Sequence, residues 1–409
     1  MKIVHFSDVH LGMENYAVTD AKTGISSRFL DFLKSLDFIV NYALYPKNKI
    51  NLVLFTGDAY KTRDPSPTYM RAFAERIKKM ADKLPVVLLV GNHDLPNTSG
   101  KANTLDIFSA LAVPGIYVAK KPEIIKISAG DDVLQIAALP WMNKVDLLGD
   151  TKDKTIEETN KLITQKLGQE ISKLSAKIDP KKPSILAAHY SVTGAYYGSE
   201  QGVMIGRDMA IDVKDLKNNK FDYIALGHLH KHQILFKNPL AIYPGSIERI
   251  DFGEEKDKKG FIELSIIKEN RGRFKTSHKF IETPARKFMT LEISMGDIDD
   301  PTKKVISEIN KKNIKDAVVK VNIKISQDKL EELEQSKIQK VLSSAHFVAG
   351  TNIDITDMLK TETVTFYKED YSWRDLLSEY LKKENISKSR GKKLIQAAEE
   401  LVNELEGEI

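Results

Sequence analysis

Short apolar runs alternate with amphipathic segments over roughly the first 250 residues of the chain. The runs have the length of buried strands, and most are separated by segments whose apolar residues recur at helical spacing. The predicted strands are 3–6, 52–55, 86–90, 133–139, 185–188 and 223–226, and the predicted helices are 27–45, 67–83, 104–111 and 155–174. Strands that are almost continuously apolar are buried on both faces, so the pattern predicts an α/β fold whose sheet is covered on both faces.

Later apolar runs lie closer together and have no helical segment between them. They cover residues 234–236, 241–243 and 261–267. Runs joined this closely are typical of hairpins, which connect antiparallel strands. The pattern therefore predicts a sheet of mixed direction.

The pattern changes near Pro284. Residues 288–293 and 318–325 read as strands, and residues 302–310 and 328–342 read as helices. We predict a small second domain of the α+β class over residues 284–361. It carries no cluster of metal-ligand residue types, so its sequence leaves a structural appendage and a substrate-gripping domain equally open.

The last forty residues or so carry two predicted helices, in residues 370–409, after a predicted linker at 361–370. Their apolar positions are Trp373, Leu376, Leu377, Tyr380 and Leu381 in the first, and Leu394, Ile395, Ala398, Leu401, Val402 and Leu405 in the second. Two such helices bury too little surface to fold alone. Their apolar faces must dock on the body of the chain or meet a partner protein in a helix-and-groove contact.

Composition narrows the class of protein. A length of 409 residues predicts two or three domains, and 42% hydrophobic with 29% charged residues is typical of a globular protein. The apolar runs are too short to span a membrane, and the chain begins directly with a strand, so we expect a cytoplasmic protein without a signal peptide. The absence of cysteine excludes disulfides and thiolate metal sites. A net charge of +5 permits a nucleic-acid partner without requiring one.

Side chains that suit metal ions follow the predicted strands. They are Asp8, His10, Asp58, Asn92, His93, His189, His228 and His230, which include five of the nine histidines. Carboxylate, imidazole and carboxamide ligands without sulfur favour manganese or iron, with zinc possible. All of these except His93 suit two adjacent ions, and Asp58 is the natural bridge because a carboxylate has two oxygens.

Two divalent ions held close together bind a phosphate between them and acidify a water molecule. His93 follows a predicted ligand and precedes Asp94, whose carboxylate could hold the ring and favour the imidazolium. A positive histidine beside a phosphate stabilises the transition state and protonates the leaving alkoxide. We therefore predict His93 and Asp94 as catalytic residues.

These motifs resemble a known family. Asp8-x-His10, Gly57-Asp58, Gly91-Asn92-His93-Asp94, His189 and Gly227-His228-x-His230 resemble the calcineurin-like metallophosphoesterase superfamily. Residues 7–12, 64–67, 223–230 and 243–249 are similar to the SbcD nucleases, the bacterial counterparts of the archaeal and eukaryotic double-strand-break repair nucleases.

The resemblance implies a four-layer α/β/β/α fold and a manganese-dependent exo- and endonuclease that processes DNA ends and hairpins. Asp8, His10 and His230 would hold one metal ion and Asn92, His189 and His228 the other, with Asp58 bridging and His93 acting in the transition state. Residues 1–283 would form the nuclease domain, 284–361 a DNA-capping domain, and 370–409 a helix-loop-helix that binds the coiled-coil ABC ATPase SbcC. The family also implies a homodimer, for which the helices 27–45 and 67–83 are candidate faces, and a location at the nucleoid.

One position departs from many archaeal and eukaryotic members, which carry a histidine where this chain has Lys61. The balance of exo- and endonuclease activity stays open for that reason. Lys61, Arg63, Tyr196, Tyr197 and Arg249 are predicted DNA contacts, since basic side chains bind phosphates and aromatic rings stack on bases. Lys256, Lys258 and Lys259 are interleaved with acidic residues and are predicted to form a solvated turn. A small-molecule phosphodiesterase and a non-catalytic scaffold for an ATPase are the alternatives.

Overall fold

The computed structural model describes residues 1–96, 101–129, 132–149, 154–198, 209–217, 220–269, 274–295, 299–355, 374, 377–378, 381 and 388–406. The chain divides into two compact units, Met1–Ile355 and Thr356–Ile409.

Two six-stranded sheets form the larger part of the first unit, with strands numbered here in chain order. In spatial order the first sheet contains β14 (Phe274–Glu282), β13 (Gly260–Lys268), β1 (Lys2–Phe6), β2 (Leu52–Phe55), β3 (Val86–Leu89) and β4 (Ile116–Ala119). The second contains β11 (Gln233–Lys237), β12 (Leu240–Tyr243), β10 (Tyr223–Gly227), β7 (Ser184–His189), β6 (Asp132–Leu139) and β5 (Glu123–Ala129). A two-strand ribbon pairs β8 (Ser191–Val192) with β9 (Ala210–Ile211).

Strand direction decides where the loops converge. β1 to β4 run parallel, as do β12, β10, β7 and β6, while β13, β14, β11 and β5 are antiparallel to their neighbours. The mixed direction predicted from the short connections is confirmed. Register brings Phe6 opposite Phe55 and Gly227 opposite His189, so the carboxyl ends of these strands meet at one edge of each sheet.

The two sheets pack on each other through apolar side chains that include Leu54 and Leu89 from the first and Ile136 and Ala225 from the second. The helices α1 (Ser27–Leu44) and α2 (Pro67–Ala81) cover the outer face of the first sheet, and α5 (Ile156–Ala176) covers that of the second. Short helices α3 (Asp106–Ala110), α4 (Lys144–Leu148) and α6 (Val213–Lys217) complete this part. The predicted four-layer α/β/β/α fold is confirmed, and each sheet has a second sheet rather than helices on its inner face.

A three-stranded parallel sheet follows, made of β15 (Phe288–Ser294), β16 (Val318–Ile325) and β17 (Phe347–Ile355). The helices α7 (Pro301–Asn310) and α8 (Gln335–Leu342) pack on it around Val305, Val321 and Ile338. The single helix predicted over 328–342 is wrong, because a 3₁₀ helix (Gln327–Glu332) precedes α8 and Leu333 between them has extended backbone.

An ion pair and a hydrogen bond attach the three-stranded sheet to α1. The Arg286 guanidinium donates to Asp31 Oδ1 over 2.6 Å, and Arg28 Nη1, also on α1, donates to Oδ2 of the same carboxylate over 2.7 Å. The imidazole Nε2 of His346 lies 2.8 Å from Ser27 Oγ. These contacts lie within the compact unit Met1–Ile355, and the domain boundary at 283/284 stays a prediction.

The second unit contains α9 (Lys388–Glu406), which corresponds to the second predicted terminal helix. Arg374 and Glu399 form an ion pair within this unit. The predicted linker 361–370 and most of the first terminal helix lie outside the described residues. Among the described residues, none of the helices combines the length and apolarity that a membrane crossing requires.

Candidate metal centre

Four of the predicted ligands sit in backbone conformations that L-residues seldom adopt. Asp8, His10, Asp58 and His228 have φ angles of 54°, 48°, 63° and 99°, in the turns that follow β1, β2 and β10. Such conformations cost on the order of 1 kcal/mol or more each and concentrate at functional sites. The turns therefore direct these side chains toward one point, although the backbone conformations that they require are unfavourable.

The side chains converge where the two sheets meet. Ligand atoms lie within 4.8 Å of one another in three sets: Asp8 with His10 and His230; His10 with Asp58 and His93; and Asp58 with His189 and His228. Asp58 Oδ2 is 3.6 Å from His10 Nε2 and 3.3 Å from His189 Nε2. The carboxylate of Asp58 thus stands between two groups of ligands, which is the place a bridging ligand requires.

Asn92 belongs to the second group. Its Oδ1 lies 3.1 Å from His189 Nε2 and 2.9 Å from His228 Nδ1. In the first group, His10 Nε2 and His230 Nε2 face each other at 3.0 Å. Two imidazole nitrogens at this distance need a proton or a cation between them, and both groups also hold a buried carboxylate. The donor set therefore fits two divalent ions, and the seven ligands predicted from the sequence lie together.

Backbone groups orient His189. Its Nδ1 lies 2.6 Å from the Thr56 carbonyl oxygen, which only accepts, so Nδ1 donates to it and Nε2 faces Asp58 and Asn92. A Cβ atom at Gly57 would lie 2.4 Å from this Nδ1. Glycine at residue 57 is therefore required for the approach of the imidazole.

His230 is oriented by residues that its sequence motif does not contain. Its Nδ1 lies 2.9 Å from Glu254 Oε1, and Glu254 forms a buried ion pair with Lys259 at 2.8 Å. Lys259 is only 2% exposed, so its prediction as part of a solvated turn is wrong. The local charge pattern gave no signal of this burial, because the partner Glu254 and the strand β13 enclose Lys259 only in the folded chain.

His93 lies at the edge of the centre. Its backbone N–H donates to Asp58 Oδ1 over 2.8 Å, and its ring stands edge-on to that of His10 with centroids 5.0 Å apart. The ring Nδ1 lies 2.6 Å from the Lys61 carbonyl oxygen. A backbone carbonyl, and not Asp94, therefore orients this imidazole.

Asp94 has a different role from the one predicted. Its buried carboxylate accepts hydrogen bonds from the backbone N–H groups of Asp58, Ala59 and Gly91 over 2.9, 3.0 and 2.9 Å. These bonds fix the turn that presents the bridging ligand. Asp94 is thus a structural support of the centre, and the prediction that it holds the His93 ring is wrong.

Charge and burial set the protonation of the centre. Burial opposes ionisation of Asp58, yet His189 and His93 outweigh it and hold the Asp58 pKa well below its usual value. Burial and the neighbouring Asp58 raise the pKa of Asp94 to about 6. Burial lowers the pKa of His189, but the Asp58 carboxylate outweighs it and raises that pKa to about 9. The bridge carboxylate is therefore ionised at neutral pH, as a metal ligand must be.

The predicted DNA contacts differ in their surroundings. Lys61 is exposed, and Arg63 Nε donates to the Asn92 carbonyl over 3.1 Å at the edge of the centre. Tyr196 is 74% exposed, and the Gln233 side chain bonds both its backbone N–H and its carbonyl, whereas Tyr197 packs on the core of the second sheet.

Arg249 requires a correction. Its Nε, Nη1 and Nη2 donate to the carbonyls of Glu255, Arg286 and Asp257 over 3.3, 3.0 and 2.7 Å. Every nitrogen of the guanidinium is thus engaged with backbone near the start of the three-stranded sheet. Arg249 is a structural residue rather than a phosphate contact.

Trp141 was not among the predicted residues. It follows β6, stacks on Tyr190 at 5.1 Å with an interplanar angle of 19°, and lies 5.3 Å from the His228 ring. Its position just past the carboxyl end of a predicted strand was the available signal.

The residues that make up this centre coincide with a known sequence family. Residues 1–232 match the family described as calcineurin-like phosphoesterase. The chain belongs to this family. It is accordingly a metal-dependent phosphoesterase, as its motifs and its converging ligands predicted.

Curated relatives narrow the comparison. The chain is 27% identical over 318 residues to the SbcD component of the SbcCD nuclease of Staphylococcus epidermidis, covering 76% of this chain and 77% of that protein. It is 26% identical over 261 residues to the SbcD protein of Bacillus subtilis, covering 62% and 63%. The resemblance to the SbcD nucleases drawn from the motifs is confirmed. A solved structure of phosphopantetheinyl hydrolase (PptH) from Mycobacterium tuberculosis is 11% identical, with 68% of this chain and 95% of that one covered and a TM-score of 0.38.

Proposed function

We propose that this chain is the nuclease component of an SbcCD-type complex. It hydrolyses phosphodiester bonds at DNA double-strand ends and hairpins during repair and recombination, as an exo- and endonuclease that depends on manganese. The observation that carries the proposal is the Asp58 carboxylate between two groups of histidine ligands with His93 beside it. The two curated relatives, both named as parts of a nuclease, support DNA as the substrate.

Each residue of the centre has a proposed role. Asp8, His10 and His230 would hold one ion and Asn92, His189 and His228 the other, with Asp58 shared. Two bound manganese ions would neutralise the phosphate and supply an activated water. Thr56 O and Glu254 hold His189 and His230 by Nδ1 and leave their Nε2 atoms toward the other ligands.

His93 acts on the leaving group in this proposal. The Lys61 carbonyl accepts from Nδ1 and so holds the ring in one orientation beside the centre. A protonated imidazole there would stabilise negative charge on the phosphate and give its proton to the departing 3′ or 5′ oxygen. Asp58 in turn accepts a hydrogen bond from the His93 backbone, which holds His93 in a fixed position relative to the metal ligands.

Contacts with DNA would come from outside the ligand set. Lys61 and Arg63 are exposed beside His93 and suit phosphate oxygens, and the exposed ring of Tyr196 suits stacking on a base. Tyr197 packs on the core of the second sheet, so it is less suited than Tyr196 to stacking on a base. We assign residues 1–283 to the nuclease domain and 284–361 to a domain that caps the DNA.

Partner proteins complete the proposal. Residues 370–409 would bind a coiled-coil ABC ATPase like SbcC through apolar positions such as Leu394 of α9, which is 42% exposed. On α1, Leu30 and Phe38 are 53% and 38% exposed, which suits a homodimer face formed by α1 and α2. For action on chromosomal DNA, the protein would lie in the cytoplasm at the nucleoid.

The test is nucleotide release from end-labelled linear duplex DNA with manganese, using wild-type protein and the His93→Ala variant. We expect release by the wild type and a loss of at least about 10²-fold in the variant, with manganese binding retained. Cyclic dinucleotides added as competitors serve as the control for a small-molecule phosphodiesterase. Hydrolysis of the competitors with intact DNA would contradict the proposal, and so would equal release by both proteins.

A further inference from the structure

The buried pair of Glu254 and Lys259 has no role in the ligand set, yet it touches one member of it. Their side chains are fully buried, and Glu254 Oε2 lies 2.8 Å from Lys259 Nζ. Glu254 Oε1 lies 2.9 Å from His230 Nδ1, and Oε2 also accepts the backbone N–H of Ile250 over 2.9 Å. Glu254 is thus anchored at both oxygens, with one of them on the imidazole.

Lys259 reaches the same residue from another side. Its Nζ donates to the His230 carbonyl over 3.1 Å and to Ser246 Oγ over 2.8 Å. The Ser246 backbone N–H donates to that same carbonyl over 3.0 Å. The ion pair therefore holds His230 by its ring and by its backbone at once.

Stability alone does not account for such a pair. Taking two charges out of water costs about as much as their attraction returns, and apolar residues of equal volume often serve stability as well or better. A carboxylate on the far nitrogen of a histidine ligand, by contrast, fixes the tautomer and raises the basicity of the ligating nitrogen. An apolar pair could neither fix the tautomer of His230 nor raise the basicity of its ligating nitrogen.

We propose that Glu254 and Lys259 are positioning residues that hold His230 with its proton on Nδ1 and its Nε2 toward Asp8 and His10. Glu254 orients the His230 ring, and Lys259 holds both the Glu254 side chain and the His230 backbone in place. The inference rests on the proposed two-metal centre. It predicts a loss of affinity confined to the ion held by Asp8, His10 and His230.

The test is a titration with Mn²⁺, in which free ion is counted by its electron paramagnetic resonance signal. Glu254→Gln and Lys259→Met are compared with the wild type and with Glu248→Gln. Glu248 is a matched control, since it is equally buried and faces Arg28 at 3.6 Å without contacting a predicted ligand. We expect two ions in the wild type and in Glu248→Gln, and one of the two sites weakened about 10- to 100-fold in the other variants.

Each outcome has a distinct meaning. A wild type that binds no manganese overturns the proposed function together with this inference. Two sites of unchanged affinity in Glu254→Gln and Lys259→Met, in folded protein, overturn this inference alone. Equal weakening of both sites assigns the pair a general structural role and also overturns it.

A second measurement uses metal-free wild-type protein and does not involve the Glu254 and Lys259 variants. Histidine labelled with ¹⁵N is introduced into metal-free wild-type protein, and the His230 signals are assigned by their loss in His230→Gln. Long-range ¹H–¹⁵N couplings at pH 8 should show a proton on Nδ1. An unprotonated Nδ1 would overturn the proposal.

Discussion

His5 lies on β1, fully buried between the sheets and three residues before the first ligand. Its Nδ1 is 2.9 Å from the Tyr223 hydroxyl, and its Nε2 is 3.0 Å from the Thr56 hydroxyl. Burial lowers its pKa from 6.5 to about 3, because no carboxylate compensates a positive ring at this place. The neutral imidazole thus ties β1 to both β2 and β10 close to the metal centre.

This residue makes stability depend on pH in a defined direction. Between pH 6.5 and about 3 the unfolded chain binds a proton at His5 that the folded chain does not, so stability falls as pH falls, by up to about 1.4 kcal/mol per pH unit. Urea unfolding of metal-free protein at pH 7.5 and 5.5 measures this. We expect the loss between the two pH values to be about 1.4 kcal/mol smaller in His5→Gln than in the wild type. Identical losses would show that His5 is not kept neutral.

A further prediction concerns Asp94. Replacing it with alanine leaves the N–H groups of Asp58, Ala59 and Gly91 without their acceptor. We expect Asp94→Ala to lose about 3 kcal/mol of unfolding free energy and to weaken manganese binding, because the turn that carries the bridging ligand loosens. Asp82→Ala, which removes an exposed ion pair with Lys78, is the control and should change stability by less than about 1 kcal/mol. A control-sized effect in Asp94→Ala would contradict the supporting role.

The sequence was informative about the ligands and less so about what holds them. Asp8, Asp58, Asn92 and His189 could be recognised as lying at strand ends because the strands before them are almost continuously apolar. Glu254 and Lys259 were not, since their burial results from contacts between distant elements. The prediction that Arg249 contacts DNA was wrong for the same reason, because the backbone carbonyls that it binds are brought to it only by the fold.

At the level of elements, several of the strands that escaped prediction have polar faces. In β14, Lys275 and the three consecutive residues Ser277, His278 and Lys279 are exposed, and β17 contains Thr351, Asn352 and Asp354. An edge strand needs only one apolar face, so its run of apolar residues is broken. Strands β1, β2 and β3 have four or five consecutive apolar or buried positions and were located correctly.

The contact of α1 with the three-stranded sheet gives a prediction at this scale. Arg286→Ala removes the guanidinium that joins Asp31 of α1 to the Asp316 carbonyl. We expect faster amide hydrogen exchange throughout β15, with exchange in β1 unchanged, because the sheet loses its charged attachment while the core of the two large sheets does not. Arg71→Ala, which removes an exposed pair with Glu75, should change neither. Unchanged exchange in β15 would show that the apolar contacts alone hold the sheet.

At the scale of the whole molecule, the division into two units predicts that they can be separated. Deleting residues 370–409 should leave the first unit folded, since Met1–Ile355 is a compact unit by itself. We expect an unchanged melting temperature and unchanged manganese binding, together with loss of co-purification with an SbcC-like ATPase. Co-purification of the shortened chain would remove the ATPase assignment from these residues, and a lowered melting temperature would show that they stabilise the body.

The arrangement of strands and layers in the whole molecule could be predicted only in part from the sequence. Motifs led to the four-layer architecture through resemblance, whereas the strand order depends on packing between the sheets. The attachment of the three-stranded sheet was not predicted from the sequence either, because it joins Arg28 and Asp31 of α1 to Arg286, which lies far from them in the chain.

Residues 249–259 contact both a proposed metal ligand and the three-stranded sheet. Glu254 holds the ring of His230, and the next residue, Glu255, accepts the backbone N–H of Thr290 over 3.0 Å and its hydroxyl over 2.6 Å in β15. Phe252 stacks edge-on against Phe288 at the start of the same strand. Adjacent Cα atoms are about 3.8 Å apart, so the two attachments share a single peptide unit. A tilt of the small sheet would therefore act on the segment that positions a metal ligand.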